Sequence, residues 1–327
     1  MSVMPWPEDT ELELSPRRLD APALELPRVA LGCGNFGGIG SSPQFFGAGL
    51  SDPEAFVLMD AAWGMGIRHF DTADAYGGGR SEEAIGRWMR DRGRRPTLTS
   101  KTFNPMSDGG DHGLAPERIR RALDASLARL GVDYLDLYLA HDFDPDTPLA
   151  DSLAAFDALA ADGLIGAYGV SNFDASQLRE ALGVGAPRAI QNSYSLLVQD
   201  DREELIGLCE QAGVAYVCFS PLAGGWLTGK YRRGQPFPDG SRMTQRPEPY
   251  SAMLHDRVYD QLEALEQVAS RRGGSMSALA LAWLLDDVRV AQVVIGPGRP
   301  EHLQPVREAL ERPLTRDERA EIEELFR

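Results

Sequence analysis

Short runs of apolar and β-branched residues recur along the chain, and enough sequence separates consecutive runs to carry a crossover helix each time. Eight such runs stand out: 29–34 (VALGCG), 69–73 (HFDTA), 97–101 (TLTSK), 135–141 (LDLYLAH), 167–172 (AYGVSN), 189–194 (AIQNSY), 215–220 (AYVCFS) and 292–297 (QVVIGP). Between them the apolar period changes to that of a helix. Ile119, Ala122, Leu123, Ser126, Leu127 and Leu130 fall on one face after Pro116, which suits a first helical turn, and Gly131 suits a stop. A second helix is expected from Asp200, with its carboxylate as cap, through Leu205, Leu208 and Cys209 to Gly213. Eight strands alternating with crossovers predict an α/β chain closed into a parallel (β/α)₈ barrel of the TIM type. A doubly wound sheet shares that repeat and stays open on periodicity alone.

Two segments break the alternation. Residues 1–28 precede the first run, with ELELSPRRL and ALELPRV patterned for a hairpin and the first dozen residues expected to be mobile. Residues 223–256, rich in Gly, Pro and Arg, are too long for an ordinary connection, and such loops are usually functional or disordered. Neither reads as a second domain, so residues 1–327 are expected to form one barrel with an N-terminal extension and a long loop after the seventh strand.

Composition narrows the function. With 49 acidic against 33 basic side chains the net charge is -16, which repels nucleic acid and anionic lipid surfaces and favours a small-molecule partner. Three cysteines, Cys33, Cys209 and Cys218, are too few for a disulfide framework and fit a reducing compartment. The acidic N-terminus lacks the pattern of a signal peptide, and no apolar stretch is long enough to span a membrane, so the cytoplasm is the expected location. Five histidines show no metal-ligand spacing, and no metal site is expected; His69, His112 and His255 read as structural or solvated. Oligomeric state, a homo-oligomer included, stays open.

Catalytic groups of such barrels gather where strands end at the C-terminal mouth. Asp71 and Tyr76 follow the second run, Lys101 closes the third and His141 the fourth. Singly, each has an ordinary reading: a turn cap, a rim aromatic, a snorkelling lysine, a strand-end hydrogen bond. Together they bring an acid, a cation and two proton-handling groups to one place. A lysine beside a tyrosine favours the phenolate and draws its pKa toward neutrality, and an aspartate would hold the ammonium charged and oriented.

The segments FDTADAYGGGRSEEAIG, SLARLGVDYLDLYLAH, GVSNF and SPLAGGWLTGKY resemble signatures of the aldo-keto reductase family in order and separation, over about Val29 to Leu310. The resemblance selects the barrel over the doubly wound sheet. It implies NADPH-dependent reduction of a carbonyl, with Asp71, Tyr76, Lys101 and His141 as the catalytic tetrad and Tyr76 as general acid. It further implies a cofactor site: Gly34 and Asn35 after the first strand; Ser171, Asn172 and Gln191 on the carboxamide; Phe219 stacked on the nicotinamide; Ser220, Leu222, Gly224, Gly225 and Lys230 around the pyrophosphate; Gly296, Arg299 and His302 at the adenosine end. Arg299 is the expected ligand of a 2'-phosphate, because guanidinium matches phosphate oxygens. His302 stands where the family has Gln or Arg, and Val306 where Asn is common, so NADP is expected over NAD with adenine contacts altered. Among aromatics beyond strand ends, Phe36, Phe103, Phe143 and Trp226 are expected to line the pocket of a small carbonyl substrate. The glycines of GCGNFGG do not form the dinucleotide fingerprint of a doubly wound domain. Two other functions fit a barrel of this kind: an aldolase forming a Schiff base through Lys101, against which FDTADAYG argues, and a cofactor-loaded regulatory subunit of a membrane channel.

Overall fold

In the computed structural model, which describes Leu14 and residues 26–327, eight parallel strands close into a barrel in sequential order. They are β1 (Val29–Gly32), β2 (His69–Asp71), β3 (Thr97–Thr102), β4 (Leu135–Ala140), β5 (Ile165–Ser171), β6 (Ala189–Ser193), β7 (Ala215–Phe219) and β8 (Val290–Ile295). Each falls within about two residues of a run read from the sequence. The hairpin expected in residues 1–28 lies largely outside the described residues.

Alternation along the strands divides the core in two. Ala30, Leu137, Leu139, Ala167, Ala189, Ala215, Val217 and Val294 pack inside the barrel, whereas their neighbours Leu31, Tyr138, Tyr216 and Cys218 pack outward under the helices. Register then decides which polar groups enter the barrel. Asp71 pairs with Thr99 and Thr99 with Leu137, while Lys101 pairs with Leu139. Asp71 and Lys101 therefore share the inner face with the apolar leucines. His69 closes the layer below them, its Nε2–H on Thr99 Oγ1 (2.7 Å) and its Nδ1 accepting from Gln292 (2.9 Å). Burial drives its pKa down to about 4, so it is a neutral structural histidine, as expected.

The helix Pro116–Leu130 has the expected bounds, and Gly131 ends it in the left-handed region at φ 70°. The helix after β6 corrects one expectation. It spans Glu204–Ala212, and Asp200 does not cap it. The acid that matters there is Asp201, whose Oδ2 accepts from Asn192 Nδ2 (2.9 Å) and Tyr216 Oη (2.8 Å), tying the turn to β6 and β7 instead. All three cysteines are buried free thiols. Among the described residues no helix is long and apolar enough to cross a membrane, and no group of His, Cys, Asp and Glu could hold a metal.

Candidate active site

The turn that carries Tyr76 is built on glycine. Gly77, Gly78 and Gly79 all have positive φ (62°, 68° and 91°), and a Cβ on Gly77 would lie 2.8 Å from the Phe36 carbonyl oxygen. Only glycine lets the β2 loop touch the β1 loop this closely. The Tyr76 ring then rests on Gly34, where a Cβ would meet it at 3.4 Å.

Below the ring, Lys101 Nζ donates to Asp71 Oδ1 at 2.5 Å and to the Thr72 carbonyl at 2.8 Å, and stands 5.1 Å from the Tyr76 ring centroid. The His141 ring meets Tyr76 edge-on with centroids 5.5 Å apart. The four groups expected to converge do so, at the C-terminal mouth. Lys101 and Asp71 are essentially sealed from solvent. Burial works against the ammonium, but Asp71 and Tyr76 outweigh it and leave the Lys101 pKa above its ordinary value. His141 is pushed down to about 3, first by burial and then by Lys101, so its imidazole is neutral; its Nδ1 is buried without a partner. Tyr76 departs from expectation. Burial and Asp71 raise its pKa more than Lys101 lowers it, so the resting tyrosine keeps its proton more firmly than a free phenol. Lys101 offsets part of that rise without bringing the tyrosine to neutrality.

A cleft of about 1100 Å³ opens from Tyr76 and His141 and runs across the barrel mouth to Arg299, His302 and Val306. Along it lie Gly34, Asn35, Ser171, Asn172, Gln191, Phe219, Ser220, Leu222, Gly224, Gly225, Lys230 and Gly296, every cofactor candidate named from the sequence. Several are already tied to one another. Gln191 Nε2 donates to Asp71 Oδ2 (2.8 Å), Ser171 Oγ to the Gln191 carbonyl (2.7 Å), and Asn172 Nδ2 to the His141 carbonyl (2.8 Å). Gln191 thus also orients the carboxylate that holds Lys101. Asn192, overlooked in the sequence, accepts from the Asn172 amide (2.8 Å) through the side chain that reaches Asp201. Asn35 Nδ2 donates to the Pro297 carbonyl (2.9 Å) and links the β1 and β8 loops across the cleft. At the far end, Arg299 is exposed with Glu301 at 3.7 Å, and His302 Nδ1 accepts from the Gly298 amide at 3.2 Å.

None of the four aromatics expected to line the substrate pocket borders this cleft. Phe36 is fully buried in the core, and Trp226 is buried against Tyr231, Tyr259 and Phe237 at centroid distances of 5.1, 5.6 and 6.2 Å. Trp226 anchors the loop, because rings that large gain more from packing together than from facing water. Phe103 sits edge-on to His112 and Phe143 edge-on to Phe173, both packed on the core and off the cleft. Short helical turns Ala223–Thr228, Arg242–Gln245 and Glu248–Met253 order the loop 223–256. From it Ser241, Arg242, Arg246 and Tyr250 reach the cleft, contributions that its aperiodic sequence did not disclose.

Behind the tetrad, Asp74 donates its amide to the Lys101 carbonyl (3.0 Å) and buries its carboxyl beside Glu82, with Oδ1 unpartnered. Burial, then Glu82, raises its pKa from 3.8 to about 7. The unfolded chain releases this proton near pH 4 and the folded chain holds it to about pH 7, so stability falls as pH rises between those values. Asp74→Asn should therefore raise Tm at about pH 8, by on the order of 2–4 kcal/mol of stability, and by much less near pH 5. Thermal melts across pH test this; an equal shift at both values would reject it.

The comparisons agree with this geometry. A family model described as "Aldo/keto reductase family" matches residues 28–327. The aldo-keto reductase yakc [NADP(+)] of Schizosaccharomyces pombe is 31% identical, covering 80% of this chain and 78% of that protein. The NADH-specific methylglyoxal reductase of Escherichia coli is 32% identical, covering 86% of this chain and 89% of the relative. Among solved structures, the glycerol dehydrogenase AKR11B4 from Gluconobacter oxydans superposes with a TM-score of 0.80 at 27% identity, covering 95% and 94% of the two chains. Matched over nearly its whole length and folded as the same barrel, the chain belongs to the aldo-keto reductase family of oxidoreductases.

Proposed function

We propose that the protein reduces an aldehyde or ketone to the alcohol with NADPH, using Tyr76 as general acid. The observation that carries this reading is the convergence of Tyr76, Lys101, Asp71 and His141 at one end of a cleft whose other end carries Arg299.

The cleft fits a nicotinamide dinucleotide in shape and donor set. A Cβ on Gly296 would meet nothing within 4 Å, so the backbone there borders open space, and Gly224 and Gly225 have positive φ (64° and 100°) in the turn facing it. Lys230 and Arg242 line the same stretch, suited to a pyrophosphate. The side-chain carbonyls of Asn172 and Gln191 take part in none of the bonds described above and suit an amide, and Phe219 offers a ring beside them. When bound, the dihydronicotinamide supplies the hydride.

The chain's own groups handle the proton. Tyr76 Oη gives its proton to the carbonyl oxygen as charge develops there, so the product gains hydride at carbon and proton at oxygen. Lys101 stabilises the resulting phenolate, and Asp71 and Gln191 fix Lys101. Neutral His141, held by burial, is suited to donate a hydrogen bond to the same oxygen. The tyrosine then recovers its proton from solvent.

Screening simple aldehydes and ketones with NADPH and NADH tests the reading. Multiple turnovers with clean alcohol formation support it. A purified protein that binds the cofactor without turnover would instead be a regulatory subunit, and borohydride trapping of substrate on Lys101 would identify an aldolase.

The cofactor preference has its own test. Charge-assisted contacts are worth about 1.5–3 kcal/mol, so Arg299→Ala should weaken NADPH about tenfold to a hundredfold more than NADH. Titration of both cofactors at one fixed salt concentration reads this out. Equal weakening would reduce Arg299 to a loop residue, and a wild-type preference for NADH, as in the name of the E. coli relative, would overturn the assignment.

A further inference from the structure

The cationic side of the cleft holds more charge than the dinucleotide needs. On the proposed function, Lys230 and Arg242 face the pyrophosphate and Arg299 the 2'-phosphate. Arg246 is left over. It lines the same cleft, half-buried, on the loop after β7. Elsewhere in this acidic chain many arginines meet carboxylates, Arg92, Arg129, Arg202, Arg232, Arg233, Arg289 and Arg319 among them. Among the described residues no carboxylate pairs with Arg246, or with Arg242 beside it. Two acids border the cleft: Asp71 is committed to Lys101, and Glu54 to the Ser51 amide and hydroxyl at 2.9 and 2.6 Å.

The position of Arg246 distinguishes it from the other cations. Its guanidinium lies over the Phe45 ring, 5.7 Å from the centroid, and against Gly40, where a Cβ would meet Nη1 at 3.1 Å. Gly40 in turn accepts from the amide of Gly77, the residue that follows Tyr76, at 3.3 Å. The arginine thus crosses from the β7 loop to the β1 loop and meets Gly40, whose carbonyl is bonded to the turn carrying Tyr76. Ile39, Leu50, Val198 and Tyr250 line the same cleft and offer apolar surface for a short carbon chain. An unpaired guanidinium held beside apolar walls is an anion site in waiting, because only an anion matches both its charge and its planar donors.

We infer that the substrates are short aldehydes or ketones carrying a carboxylate or phosphate, and that Arg246 binds that anionic group while the carbonyl reaches Tyr76. The inference rests on the proposed carbonyl reduction and names its substrate class. Arg246 is a specificity residue: it touches the far end of the substrate and takes no part in the proton transfer. Repulsion from Arg242 adds to the case, since an anion between the loops relieves it.

Matched pairs test the inference: succinic semialdehyde against butanal for carboxylate, and glyceraldehyde 3-phosphate against glyceraldehyde for phosphate. The wild type should favour the anionic member of at least one pair in kcat/KM by about tenfold or more, chiefly through KM, and the pair with the larger ratio identifies the anion. Arg246→Ala should collapse that ratio, Arg246→Lys should keep part of it, and added salt should erode it in the wild type. Equal use of both members in both pairs, or a ratio unmoved in Arg246→Ala, would overturn the inference while leaving carbonyl reduction intact. If no carbonyl is reduced, calorimetry of succinate and glycerol 3-phosphate on the NADPH-saturated protein decides separately. Binding lost in Arg246→Ala supports the anion site even as the reductase reading fails, and no binding to the wild type overturns the site.

Discussion

Tyr76→Phe should lose about a thousandfold in carbonyl reduction and still bind the dinucleotide. The substitution removes one oxygen and leaves the ring, which packs on Gly34 and edge-on to His141. The turn below, set by three left-handed glycines, does not depend on the hydroxyl. What disappears is the proposed proton donor. The size of the loss follows from the resting state of the residue: burial holds the proton on Tyr76, so the acid is fully loaded at neutral pH but reluctant to release it. Lys101, charged and 5.1 Å from the ring, matters when the phenolate forms, and without an oxygen at that point the alkoxide must take its proton from water. Steady-state rates against one aldehyde, paired with quenching of tryptophan fluorescence by NADPH, separate the two effects. Unchanged quenching with activity within tenfold of the wild type would remove Tyr76 from the chemistry.

The tetrad was legible in the sequence because strands alternate. Once eight apolar runs are taken as parallel strands, register places Asp71 and Lys101 on the inner face, and their position at strand ends places them at the mouth. That the cofactor candidates border one cleft was legible for the same reason, since Ser171 and Phe219 close two other strands and Gln191 lies in a third, two residues before its end. What escaped is whatever depends on loop conformation. Phe36 and Trp226 look like pocket residues in sequence because they lie beyond strand ends, yet in the structure both are core, one beneath the β1 loop and one as anchor of the loop after β7. Arg242 and Arg246 escaped from the opposite side, lying in a segment with no periodicity to show which way it faces the barrel. Asp201, rather than Asp200, was decided by two partners remote in sequence, Asn192 and Tyr216. The direction of the Tyr76 shift also needed coordinates, for it is a contest between burial and a cation that only geometry can decide.

Lys101→Met should damage folding and catalysis together. The ammonium is fully buried and its removal leaves the Asp71 carboxylate inside the barrel with Gln191 Nε2 as its remaining side-chain donor. Breaking a buried ion pair from one side costs about 3–5 kcal/mol, a large share of the stability of a typical domain. Pairing the change with Asp71→Asn removes the stranded charge, so the double variant should recover much of the lost Tm; denaturant and thermal melts of the two variants test this. Catalysis should not recover with it. With no cation to stabilise phenolate, Tyr76 becomes a still weaker acid, and reduction should fall by about a hundredfold or more in both variants. The residual rate should rise toward acidic pH, where solvent supplies the proton that the tyrosine withholds, whereas Lys101 of the wild type stays charged across the assay range because its pKa lies above the ordinary value. A double variant as stable as the wild type and equally active would show that the pair serves only to hold the barrel mouth together.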